Sequence, residues 1–142
     1  MKATKRNRGF TLVEILIVVV ILGILAAIVI PQFTNASSQA NENRLRADLQ
    51  TLRSQIQLYK VQHNDQAPTF ATFVNDMTTQ IGGLGPYLQQ MPVNPFTGTS
   101  ALDNSAVAGD DGGAWEYDDA TGAINADDSG TCNDGVTAHS AL

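Results

Sequence analysis

The sequence predicts an α+β fold: a long N-terminal helix packed on a small antiparallel sheet. Three observations carry this. Residues 10–30 form a 21-residue apolar run with a single charge, Glu14. Leu45, Leu49, Leu52, Ile56 and Tyr59 then recur at steps of four and three, the spacing of one helix face. Trp115 and Tyr117 alternate with acidic residues ahead of Gly122 and Ile124, as in a hairpin.

The apolar run comes first. As a helix it measures about 31 Å, enough to cross a hydrocarbon core. Lys2, Lys5, Arg6 and Arg8 precede it, so the N-terminus is expected to stay cytoplasmic and everything beyond Pro31 to lie across the membrane. A secretory signal cut near Ser38-Gln39-Ala40 competes with this reading. The run exceeds the usual apolar centre of about 7–15 residues, and it holds a carboxylate. A carboxylate costs about 2.5–3.5 kcal/mol at mid-bilayer and less toward the ends. An ordinary signal-anchor meets the same difficulty. The charge makes sense if the chain is cut between Gly9 and Phe10. The new amine at Phe10 then sits four residues before Glu14, on the same helix face. Its own amine or a neighbour's can neutralise the carboxylate, and in the second case Glu14 sets the register between identical helices.

The stretch Lys5-Arg6-Asn7-Arg8-Gly9-Phe10-Thr11-Leu12-Val13-Glu14 closely resembles the class III signal of type IV pilins and type II secretion pseudopilins. The resemblance implies a pilin-like fold. It also implies cleavage after Gly9 by a prepilin peptidase, N-methylation of Phe10, and a need for Glu14 in assembly.

Beyond Pro31 the pattern turns amphipathic. Arg44, Arg46, Asp48, Arg53 and Lys60 occupy other faces than the leucine stripe. Leu58 and Val61 are expected to widen the apolar contact. Asn64, Asp65 and Pro68 are the expected stop. A helix over residues 10–63 measures about 81 Å. Pro31 predicts a kink, and Gly23 is a weak point upstream. By the resemblance, residues 23–31 lose helicity on assembly; a simple bend is the competing reading.

The remainder forms the head. Residues 69–79 predict a short helix with Thr69 as its cap. Gly82-Gly83-Leu84-Gly85 ends it; lacking a following lysine, it reads as a linker rather than a phosphate loop. Residues 85–98, with Pro86, Pro92 and Pro95, predict an ordered extended loop similar to one in major pseudopilins. Residues 99–113 suit a surface loop. Gly122 supplies the positive φ of the hairpin, whose Trp115, Tyr117 and Ile124 are expected to face the leucine stripe. Beyond Asp127 the polar tail is expected to be mobile.

Charge excludes one class of function. From Val61 onward there is no Lys or Arg but there are eleven Asp and Glu. Without the four leader cations the chain holds 4 cations and 14 anions, a net of -10. Such a surface repels nucleic acid. Cys132 is the single cysteine, so no intrachain disulfide forms. His63 and His139 read as solvated surface residues. No nucleophile–base pattern is present, and no enzyme or cofactor is expected. The doublets Asp110-Asp111, Asp118-Asp119 and Asp127-Asp128 raise calcium, which takes hard oxygen ligands and which the resembling major pseudopilins often bind in their C-terminal loop. They lack EF-hand spacing, and solvated acidic loops are the simpler reading.

The expected organisation is a cleaved leader (1–9), a membrane and polymerisation helix (10–31), an amphipathic helix (32–64) and a periplasmic head (65–142). The expected role is a structural subunit of a type II secretion pseudopilus. Its partners are further copies of itself in a helical homopolymer, the prepilin peptidase, an inner-membrane platform with its ATPase, and minor pseudopilins. The short head and the unpaired Cys132 favour this over a surface type IV pilin. A monomeric membrane-anchored binding domain is the rival of another class.

Overall fold

Helical periodicity over the first 60 residues becomes α1, Leu12–Gln62. The structure is a computed structural model and describes residues 10–105, 108–110 and 112–142. The leader with Gly9, and Asp111 of the first acidic doublet, lie outside the described residues. The chain separates into two units, Met1–Ser37 and Ser38–Leu142.

In the first unit the backbone is helical at both Gly23 and Pro31. Pro31 has no amide proton to give the preceding turn. The Thr34 hydroxyl bonds back to the Pro31 carbonyl at 2.9 Å. A side chain at Gly23 would meet nothing within 4 Å.

In the second unit, Leu45, Leu49, Leu52 and Ile56 are almost wholly buried. They pack with Phe73 and Met77 of α2 (Phe73–Thr78), with Leu88 and Met91 of the extended loop, and with Trp115, Tyr117 and Ile124 of the sheet. Leu58 and Val61 do not join them; they are exposed, Val61 by 81%. At 100° per residue they sit about 200° and 140° around the helix from Ile56, away from the core. α1 ends where Asn64 and Asp65 take positive φ (55° and 64°), and the Asp65 N–H bonds the Lys60 carbonyl at 2.8 Å. This is a left-handed helix stop.

The short helix starts later than the sequence pattern suggests. Thr69 to Thr72 form a turn closed by the Thr72 N–H on the Thr69 carbonyl, and Thr72 occupies the cap position. Thr69 is therefore not the cap.

The sheet has three strands in the order β1-β2-β3. The strands β2 (Trp115–Asp118) and β3 (Ala123–Ala126) form the antiparallel hairpin, with Tyr117 opposite Ile124. The two-residue strand β1 (Leu102–Asp103) lies parallel to β2, inside the stretch expected to be a plain surface loop. Gly122 has φ 77°, and a β-carbon there would lie 3.2 Å from that of Ala67. Both the turn and the close approach demand glycine. The Trp115 indole N–H donates to the Pro92 carbonyl at 2.9 Å and the Tyr117 hydroxyl to that of Pro68 at 2.7 Å. These bonds tie both loops to the sheet and satisfy the buried polar ends of the two rings. Burial raises the Tyr117 pKa well above that of a free phenol.

The tail is part of this core, against expectation. Asp127, Asp128, Cys132 and His139 are all buried. The last turn, a 3-10 turn at His139–Ala141, packs on β3.

Candidate functional site

The N-terminal end of α1 is built by a local device. Thr11 precedes the first helical residue and Glu14 lies three further on, the capping-box arrangement. The Thr11 N–H and hydroxyl both donate to Glu14 Oε2, at 2.8 and 2.9 Å. The Glu14 N–H returns a bond to Thr11 Oγ1 at 3.2 Å. Glu14 thus helps to start the helix, a role separate from its expected pairing with an amine. The Thr-x-x-Glu spacing in the sequence is the signal that could have found it. Oε1 takes no hydrogen bond among the described residues. Phe10, next to the expected cut, is 82% exposed.

Beyond Glu14 the helix is apolar on every side. Ile15, Ile17, Val19, Ile21, Leu22, Leu25 and Ile28 each keep half or more of their surface exposed, with no favoured face. Such a helix has no stable place in water. It is long and apolar enough to cross a membrane. The carboxylate and the exposed apolar wall are one site, a surface whose burial lies outside the chain.

The acidic loops divide by function. Asp118 closes the hairpin turn, taking the Ala120 N–H at 2.9 Å and the Thr121 hydroxyl at 2.7 Å. The Thr121 hydroxyl and the Ala120 N–H hold its carboxyl below the usual range. Asp119 accepts the Phe70 N–H at 3.1 Å. Asp128 pairs with His139 Nδ1 at 2.5 Å, and its other oxygen accepts from Asn94 Nδ2 at 3.1 Å. The Phe96 ring packs on His139 with centroids 4.1 Å apart. His139 is therefore a core residue, contrary to the surface reading. His63 is half-buried, stacked on Tyr59 at 3.8 Å.

Of the candidate calcium ligands among the described residues, the structure brings together Asp110 and Asp127. Asp103, which the doublet pattern missed, joins them. One oxygen of each lies within 4.8 Å of the others. Hydrogen bonds from Ser105, its hydroxyl first, hold the Asp103 carboxyl below its usual range. Asp127 is fully buried, and its two oxygens accept the N–H groups of Gly109, Asp110 and Gly113 at 2.8, 3.2 and 2.6 Å. It gathers the backbone of Gly109, Asp110 and Gly113 around one carboxylate. Oxygen donors and concentrated negative charge suit a hard divalent cation. Sequence spacing could not reveal the trio, because Asp103 reaches it only through β1.

Comparison with known proteins agrees with the N-terminal geometry. The family model of the prokaryotic N-terminal methylation motif matches residues 4–30. The type II secretion system core protein G of Escherichia coli (strain K12) is 27% identical over 141 residues, covering 85% of this chain and 94% of that protein. The protein of the same name from Klebsiella pneumoniae is 40% identical over 100 residues, covering 65% of this chain and 71% of its own length. That from Pseudomonas aeruginosa is 32% identical over 99 residues, covering 65% and 70%. No solved structure matches the chain significantly. With the capped glutamate, the exposed apolar helix and this coverage together, the chain belongs to the type II secretion system core protein G family.

Proposed function

We propose that this chain is a structural subunit of the type II secretion pseudopilus. The carrying observation is the 10–30 segment, in which an apolar helix exposes all its faces and holds one carboxylate at its capped start. Inserted in the inner membrane with its head in the periplasm, the chain is cut after Gly9 by the prepilin peptidase and methylated at Phe10. Removing the four leader cations frees the N-terminus to leave the cytoplasmic surface. The Phe10 amine of a neighbouring copy then meets Glu14 Oε1 as the apolar helices gather into a helical polymer. An inner-membrane platform and its ATPase extend the polymer, and minor pseudopilins join it. Gly23 and Pro31 are where α1 loosens on assembly. The subunit's work is mechanical, moving exported proteins, and needs no catalytic group.

Mass spectrometry of the mature protein tests the processing: a chain beginning at methylated Phe10 is expected. Glu14→Leu tests the assembly. A processed chain that stays membrane-bound without forming filaments is expected. Normal filaments from this variant would refute the role given to Glu14. Unchanged function without any polymer would instead support the anchored-monomer alternative.

We also propose that Asp103, Asp110 and Asp127 bind calcium. The support is three carboxylate oxygens within 4.8 Å. Millimolar calcium is expected to raise the melting temperature of the head, and Asp103→Asn to abolish the rise. An unchanged melting temperature in the parent protein would end the idea.

A further inference from the structure

At the C-terminal end of α1 the head forms a small pocket of about 50 Å³. Tyr59 and His63, one helical turn apart, stack at 3.8 Å with their rings nearly parallel. Tyr87 meets both edge-on, at 5.4 and 6.4 Å. The rings are held in place. His63 Nδ1 donates to the Tyr59 carbonyl at 2.9 Å, and the Tyr87 hydroxyl donates to Gln62 Oε1 at 2.6 Å. Ile81 and Leu84 complete the lining; they flank the Gly82-Gly83 turn and stay 47% and 36% exposed.

Asp76 of α2 also lines the pocket and is half-buried. Its Oδ2 accepts the Thr72 hydroxyl at 2.6 Å, but no Lys, Arg or His forms an ion pair with it among the described residues. Burial first, and then the Asp76 charge, raise the Tyr59 pKa, which sets the carboxylate beside that ring. A carboxylate among aromatic rings attracts a cation, through its own charge and through the negative ring faces. Size chooses the cation. A water takes up about 30 Å³, so the pocket admits one ammonium head and is too small for a quaternary ammonium with its methyl groups. The Thr72 bond also occupies one of the two oxygens that a guanidinium would grip together, whereas an ammonium is a point donor. Ile81 and Leu84 offer apolar surface to the four-carbon stem that carries a lysine ammonium.

We propose that this pocket receives a lysine side chain of a different protein. The ammonium meets Asp76 beside the rings, and the stem lies on Ile81 and Leu84. A second copy of this chain is a poor source of that lysine. Lys60 is the single lysine beyond residue 9. Its side chain is 18% exposed, with the ammonium 3.8 Å from Asp65 and 3.4 Å from the Thr121 carbonyl. The surrounding head, with eleven acids and no Lys or Arg after residue 60, favours the approach of a basic partner. The site uses neither the 10–30 segment nor Glu14, so it stands independently of the filament reading.

The full chain in detergent micelles is titrated with N-acetyl-lysine methylamide while the ring protons of Tyr59, His63 and Tyr87 are followed by NMR. A saturable shift is expected, with a dissociation constant on the order of a millimolar. N-acetyl-norleucine methylamide keeps the stem and lacks the charge; it should bind about five-fold more weakly, the scale of one exposed charge pair. Asp76→Asn should weaken the lysine probe by a similar factor, and Asp134→Asn should not. Equal binding of the two probes, or no saturable shift, overturns the site. That comparison needs no variant, so it decides even if Asp76→Asn fails to fold. The partner is tested in the assembled secretion machinery with a carbodiimide, which condenses a carboxylate with a neighbouring amine. Mass spectrometry is expected to find Asp76 joined to a lysine of another protein. Asp76 joined to Lys60 of a second copy, or to no lysine, overturns the assignment of the partner.

Discussion

The two stretches of α1 use the same residues to opposite ends. Between residues 12 and 30, leucines, isoleucines and valines stay half or more exposed around the whole helix. Between residues 45 and 56, Leu45, Leu49, Leu52 and Ile56 fall to 0–1% exposure. Helical geometry is common to both, so the difference lies in patterning. A single apolar stripe can be covered by the chain's own sheet and loops. Apolar residues on every face can be covered only by lipid or by other copies. The chain thus completes one hydrophobic surface by folding and leaves the other uncovered.

That contrast breaks most sharply at the sheet. Trp115→Ala empties the centre of the head and is expected to destabilise it by about 3–5 kcal/mol, seen as lost near-UV dichroism and a lower denaturation midpoint. Next comes a matched pair on one helix. Leu52→Ala should cost the head about 2–5 kcal/mol, whereas Leu22→Ala should leave its unfolding midpoint unchanged. Equal effects would mean that the exposed half contributes to the head's own core. The smallest effect is expected at the tail loop. The Thr137 hydroxyl, followed by the Val136 N–H, lowers the Asp134 pKa to about 2. A depressed carboxylate pKa stabilises the fold above the unfolded value of about 3.9, and that stability is lost as pH falls toward 2. Amide exchange at Thr137 should therefore quicken over that window, and Asp134→Ala should remove the dependence.

Elements whose cause is local were legible. The N-terminal run, the Leu45–Ile56 stripe, the stop at Asn64 and the hairpin around Gly122 each depend on neighbours within a turn or a pairing of a few residues. Thr11 was equally readable, since its capping-box spacing is in the sequence. The misreadings share another origin. His139 is buried because Asp128 and Phe96 meet it, and Asp127 because it gathers N–H groups 14 to 18 residues upstream. β1 exists only because residues 102–103 find the far side of Trp115 and Glu116.

By itself, the sequence determined where the chain is apolar, where it is amphipathic and where its charge lies, because hydrophobic periodicity and charge are properties of short windows. Tertiary structure alone decided which polar residues are buried and which acids share a site. A carboxylate or imidazole looks the same in sequence whether water or a distant N–H satisfies it; only the folded chain supplies the partner that makes its burial tolerable.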